Sequence, residues 1–151
     1  MILPKDVLVL VADGGRMMLM RNDGDAVSPK LAVIEHRDNP APANRDLFAD
    51  APGRAFESHS PARSAYDNRD PHAERERAFL ASASAALESH VTKDTPGIII
   101  AADPVSLGHL RQHYPQDITK LLLTEFDKDL TAMTVGDITD YLALAEFPAA
   151  R

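Results

Sequence analysis

The chain has 151 residues, 44% hydrophobic and 26% charged, which is the composition of one globular domain large enough to bury a core. It contains no cysteine, which excludes a disulfide framework, a thiolate metal site and a cysteine nucleophile. A formal net charge of −7 argues against a basic surface spread over the molecule for duplex binding, and leaves room only for a local basic patch.

The first element is DVLVLVAD, a continuous apolar run closed by Asp13-Gly14-Gly15, which predicts a buried strand and a tight turn. Its apolar stretch, Val7 to Ala12, is too short for a signal-peptide core or a membrane span, so a cytoplasmic protein without membrane attachment is expected. RMMLMR follows as a second strand, in a hairpin with the first. Asn22-Asp23-Gly24-Asp25 is a further turn, and KLAVIEH is the third strand.

Residues 37–71 then break the pattern. Prolines, a Pro-Gly pair and few bulky apolar groups leave this stretch little with which to pack, and loops this long are usually functional or disordered. Its charge is also unusual. Residues 37–77 hold seven of the eleven arginines and no lysine, alongside eight acids, whereas from Asp94 onward nine acids face four basic residues. Arginine in preference to lysine suits phosphate and RNA backbones, because the guanidinium presents a planar fork of donors. Arg54, Arg63 and Arg69 are therefore candidates for an anion grip, supported by His72 and Arg75 at the start of the following helix. The plainer alternative is a set of solvated arginines on a salt-laced loop.

Asp70-Pro71 is an N-cap followed by proline at the first helical position, and opens a helix from about His72 to Val91. Phe79, Leu80, Ala83, Ala86, Leu87 and Val91 form its buried stripe. TPGIIIAA is a fourth, central parallel strand. Asp103-Pro104 repeats the start signal for a helix to about His113, KLLLTEF is the fifth strand, and Thr134 to Asp137 caps a last helix from Val135 to about Glu146. The order β-β-β, long loop, α, β-α, β-α predicts a single domain with one mixed sheet and helices on its faces.

In such sheets, ligands collect beyond the carboxyl ends of the strands. Asp13, Asp103, Asp127, Lys128 and Asp129 fall at those ends. Four carboxylates there can hold Mg²⁺ for phosphoryl chemistry, which keeps a nuclease-like enzyme open as one alternative. Each also has an ordinary role: Asp13 in a turn, Asp103 as an N-cap, Asp127 and Asp129 in a turn around Lys128. His109 and His113 have a helical zinc spacing but no His-Glu-x-x-His glutamate and no third ligand. No Walker loop, dinucleotide fingerprint or Gly-x-Ser-x-Gly is present, so neither a metal nor a cofactor is expected.

Taken in order, VADGGRMMLM, ANRDLFADAPGRAF, DPHAERERAF, IIIAADPVSLGHLR and TEFDKDLTAMTVGDITDYL resemble the bacterial host-attachment protein family, labelled "protein required for attachment to host cells". That family is similar, more distantly, to the central domain of archaeal and eukaryotic peptide-chain release factors. The resemblance covers nearly the whole chain. It implies a ribonuclease-H-like α/β architecture with strand order 3-2-1-4-5. In release factors, the segment between strand three and the long helix carries a Gly-Gly-Gln loop that enters the peptidyl-transferase centre. Here the counterpart reads Pro52-Gly53-Arg54, and the only glutamines, Gln112 and Gln116, lie elsewhere. The resemblance therefore implies a non-catalytic, translation-associated module that binds the ribosome or structured RNA. The family label implies a different role, a protein-interaction factor acting indirectly in attachment. The long segment is expected to be exposed, so limited proteolysis should cut within 38–70 before any other internal site; protection equal to that of the first and fourth strands would rule this out.

Overall fold

The computed structural model describes residues 1–40 and 71–146. Arg54, Arg63, Arg69 and the Pro52-Gly53-Arg54 stretch lie outside the described residues, as does the N-cap position Asp70. In chain order the elements are β1 (Leu8–Ala12), β2 (Arg16–Asn22), β3 (Leu31–Asp38), α1 (Pro71–Ser89), β4 (Ile98–Ala102), α2 (Pro104–Arg111), α3 (Gln116–Leu121), β5 (Leu122–Phe126) and α4 (Val135–Leu144). The sheet has five strands in the order β3-β2-β1-β4-β5, as expected. β1 runs antiparallel to β2 and parallel to β4, and β4 runs parallel to β5, so the sheet is mixed.

The centre of the sheet is apolar on both faces. Every residue of β1 and β4 is buried. Alternation divides them between two cores, because successive side chains of a strand point to opposite faces. Leu8, Leu10 and Ala12 join Ile98, Ile100 and Ala102 beneath α1 and α2, packed by Phe79, Leu80, Ala83, Leu87, Leu107 and Leu110. Val7, Val9, Val11, Ile99 and Ala101 face the other way, onto Leu3, Leu130, Ile138 and Leu142, the last two from α4. The small residues Ala83 and Ala86 let α1 lie close against the sheet. Among the described residues, no helix is long and apolar enough to cross a membrane.

The start signals act as their chemistry dictates. Asp103 accepts a hydrogen bond from the Ser106 N–H and precedes Pro104 at the head of α2. Thr134 accepts from the Asp137 N–H at the head of α4. Three helices stop short of their expected ends, α2 among them, which closes at Arg111 where the Gln112 N–H bonds the His109 carbonyl. The N–H groups of His90 and Val91 bond three residues back, to Leu87 and Glu88, which tightens the chain out of α1 after Ser89. α4 ends at Leu144, where the Ala145 N–H turns back to Leu142. The stretch expected as one strand, KLLLTEF, instead begins in α3, with Lys120 and Leu121 helical and the strand starting at Leu122. α3 has Pro115 at its N-cap and no capping side chain, so it lacked the signal that marked the other helices.

Among the described residues, two polar side chains, Asn22 and Thr124, are enclosed completely, with opposite consequences. Asn22 is 0% exposed and fully used. Its Nδ2 donates to the carbonyls of Leu3 (2.8 Å) and Pro4 (3.1 Å), and its Oδ1 accepts from the N–H groups of Gly24 (3.0 Å) and Lys30 (2.8 Å). One side chain thus ties the N-terminal segment to the β2–β3 connection. Thr124 in β5 is also 0% exposed, and its hydroxyl has no partner. Asn22→Ala should therefore cost roughly 3 kcal/mol in urea denaturation, because it strands several buried backbone groups. Thr124→Val should raise stability by about 1 kcal/mol, since it removes an unsatisfied hydroxyl at nearly constant volume; a loss on that substitution would mean the hydroxyl has a partner after all.

Candidate functional site

β1 ends at the turn joining it to β2, and the carboxyl edge of the sheet is built around that turn. The Asp13 Oδ1 accepts from the N–H groups of Gly15 (2.7 Å) and Arg16 (2.9 Å), and the Asp13 N–H bonds the Arg16 carbonyl (2.9 Å). Gly14 is a glycine for a spatial reason. A Cβ there would lie 2.6 Å from the Cδ of Glu76, so the bare Cα lets the second turn of α1 rest on the β1–β2 turn.

On one side, the turn is joined to the chain that follows β5. Thr131 is buried, and its hydroxyl lies 3.0 Å from Asp13 Oδ2 and 2.6 Å from Asp129 Oδ1. The Thr131 N–H also donates to Asp129 Oδ1, at 2.9 Å. The Thr131 hydroxyl thus stands between the two carboxyls, close enough that each affects the ionisation of the other. Burial alone would raise Asp13, but the bonds from Asp129, the Gly15 N–H, Thr131 and the Arg16 N–H outweigh it and hold its carboxyl below the usual range. Burial pushes Asp129 up, and the neighbouring charge of Asp13 adds to this against the two bonds from Thr131. Of the two, Asp129 is the carboxyl that takes up a proton more readily.

On the other side, the turn is joined to the end of β3 and the start of α1. The Asn39 N–H donates to the Gly15 carbonyl (2.8 Å), and its side-chain Nδ2 donates to the Gly14 carbonyl (3.0 Å). An Nη2 of Arg75 donates to Asn39 Oδ1 and to the Pro40 carbonyl, each at 3.2 Å. Two clefts open along this edge. One, of about 480 Å³, is lined by Asp13, Gly14, Gly15, Arg16, Glu76, Asp103, Val105, Ser106 and His109. The adjoining one, of about 290 Å³, is lined by Gly14, Gly15, Asn39, Pro40, His72, Arg75 and Glu76.

The sequence candidates thus fall into three groups. Asp13 and Asp129 meet at the Thr131 hydroxyl, and Asp103 lines the same cleft as Asp13 while its carboxylate caps α2. Asp127 and Lys128 are exposed beyond β5 and do not join them. His72 and Arg75 sit together at the second cleft. His109 lines the first cleft, but α2 ends at Arg111, so His113 does not continue its helical face. Among the described residues, no three His, Asp or Glu side chains converge to hold a metal ion. Sequence reasoning missed Glu76, Asn39 and Thr131. Glu76 is one of four consecutive charged residues, Glu74 to Arg77, and only its fit to Gly14 sets it apart.

The fold is a mixed five-stranded α/β sheet in the order β3-β2-β1-β4-β5, with a polar edge built on the β1–β2 turn. A profile described as Bacterial archaeo-eukaryotic release factor family 12 matches residues 6–142, and the chain belongs to that family. The match carries the release-factor side of the resemblance and not the host-attachment label. No curated protein matches the chain.

The opposite shifts of Asp13 and Asp129 have a consequence for stability. A carboxyl raised in the folded state favours folding below its unfolded value, and that contribution is lost as pH rises through the folded value. Asp129 should therefore weaken the fold as pH climbs above the usual carboxylate range. Asp13, held low, supports the fold above its unfolded value and loses that support only in stronger acid. Asp129→Asn keeps the shape and cannot ionise. Relative to the parent, it should gain stability progressively as pH rises above the usual carboxylate range, read from urea midpoints at each pH. A difference that stays flat as pH rises would show that the Asp129 carboxyl is not raised in the folded state.

Proposed function

We propose that this protein is a non-catalytic, translation-associated module that binds the ribosome or structured RNA through the segment between β3 and α1. Membership of a release-factor family carries the reading, since in the release factors the chain resembles, that segment works at the peptidyl-transferase centre. The carboxyl edge supports it. The chain leaves β3 at Asn39 and Pro40 and re-enters α1 at one corner, where Arg75 touches both. The absence of Gly-Gly-Gln supports a binding role over peptidyl-tRNA hydrolysis. Arg54, Arg63 and Arg69 are the residues assigned to the contact, as guanidinium groups suited to phosphate. With a net charge of −7, the contact must be local, since the rest of the surface repels a polyanion.

Co-sedimentation with ribosomes over a salt series tests this. The parent should bind at low salt and lose affinity steeply as salt rises, through counterion release. Replacing Arg54, Arg63 and Arg69 together by alanine should weaken binding by about ten-fold or more with an unchanged melting temperature, which separates loss of a contact from loss of the fold. Equal binding by parent and triple variant, or no binding at low salt, would reduce the family likeness to one of fold. A protein partner recovered from lysate that resists ribonuclease would point instead to the protein-interaction role.

A further inference from the structure

We infer that Arg75 is a positioning residue: with Asn39 it clasps the end of β3 to α1, fixing the corner from which residues 41–70 depart and to which they return. This rests on the binding role proposed above, and it removes Arg75 from the residues that contact RNA.

The geometry of the clasp is specific. One Nη2 of Arg75 carries two hydrogens, and they go to two neutral acceptors of the same chain, Asn39 Oδ1 and the Pro40 carbonyl, both at 3.2 Å. Among the described residues, no carboxylate pairs with it. Asn39 answers in kind. Its Oδ1 accepts from Arg75, while its Nδ2 donates to the Gly14 carbonyl (3.0 Å) and reaches the Arg75 carbonyl at 3.4 Å. Its backbone N–H donates to Gly15. One amide thus joins the β1–β2 turn, the end of β3 and the first turns of α1, a task that needs a donor and an acceptor on the same side chain. Aspartate lacks the donor, and lysine lacks the planar fork that aims two hydrogens at two acceptors.

The surroundings also disfavour a phosphate at Arg75. The neighbouring residue Glu76 lines the same cleft, with its side chain laid on Gly14. A phosphate reaching Arg75 would have to approach that carboxylate, and the two Nη2 hydrogens are already held by Asn39 and Pro40. The hydrogen bonds themselves are exposed and individually weak, so their effect is to reduce the number of orientations open to the two chain ends. Loss of that preorganisation lowers affinity by the fraction of molecules still correctly arranged.

Arg75→Ala, Arg75→Lys and Asn39→Ala separate the two roles. In the ribosome salt series, both Arg75 variants should weaken binding alike, by about five- to ten-fold, with the salt slope of the parent; Asn39→Ala should match them, and Arg75→Ala with Asn39→Ala should be no worse than either alone. If Arg75→Lys keeps the parent affinity, or if Arg75→Ala lowers the salt slope by about one, Arg75 is a phosphate contact and the inference falls. A second measurement does not depend on binding. Amide hydrogen exchange at Asn39, whose N–H is held by Gly15, should be about ten-fold faster in both Arg75 variants. Protection equal to the parent's would overturn the clasp even if ribosome binding is confirmed. Faster exchange in both variants would sustain the clasp as a structural device even if the parent fails to bind ribosomes.

Discussion

The burial of β1 on both of its faces governs everything else in this molecule. Five consecutive buried residues, Leu8 to Ala12, cannot be covered from one side, because alternate side chains point in opposite directions. Helices must therefore lie on both faces. α1 and α2 cover Leu8, Leu10 and Ala12, while α4 and the N-terminal segment cover Val9 and Val11. The neighbours follow from the same demand. β4 is equally buried and can only lie beside β1, in parallel, with its own alternation matched to the same two cores. Leu10 pairs with Ile100 and Val11 with Ala101, so a one-residue slip would drive both sets of side chains into the wrong layer.

A strand so enclosed concentrates its chemistry at its end. No polar group can be placed along β1, so the first one after it, Asp13, stands where the chain emerges into solvent. There it meets the ends of several other elements. Its carboxylate is engaged by its own turn and by Thr131 and Asp129 from beyond β5. The next two residues offer carbonyls to Asn39, and Gly14 gives α1 a place to rest. A chain of polar contacts therefore runs along the carboxyl edge from Asp129 through Asp13 and the two glycines to Asn39 and Arg75. It links segments far apart in sequence through groups that are mostly exposed. Its contribution to stability is modest compared with that of the two cores, but it determines how the edge is arranged.

How much of this was legible beforehand follows from the range of each signal. The strand order needed the family resemblance, whereas the elements themselves came from local pattern: an apolar run before Asp-Gly-Gly, and Asp-Pro ahead of a helix. α3 escaped because Pro115 offers no capping oxygen and because Leu121 to Leu123 form an unbroken apolar run that reads equally well as strand. Among the acids, Asp13, Asp103 and Asp129 could be placed at strand ends from the order of elements, but only coordinates could show that Asp13 and Asp129 meet. Their meeting depends on Thr131, one threonine in an unremarkable loop. Asn39 and Glu76 were invisible for a related reason. Each acts on the β1–β2 turn from more than twenty residues away, and nothing in the spacing of either residue marks it.

The same edge explains why an acidic protein can still be read as a partner of a polyanion. The larger cleft has Asp13, Glu76 and Asp103 along its walls and only Arg16 and His109 to set against them. A phosphate backbone would be repelled from this cleft, so the sheet edge itself is a poor nucleic-acid surface. The arginines that suit such a ligand belong instead to a connection that contains no lysine. The domain thus separates two tasks. Under the proposed function, the sheet and its acidic edge provide the base, and Asn39 and Arg75 hold the end of β3 to the start of α1 on it. On this view the arginine at the base is part of the mounting, and its charge is incidental. Recognition in such an arrangement depends on how the connection is held as much as on the residues it carries, because a contact made by a few guanidinium groups gains little unless they arrive together.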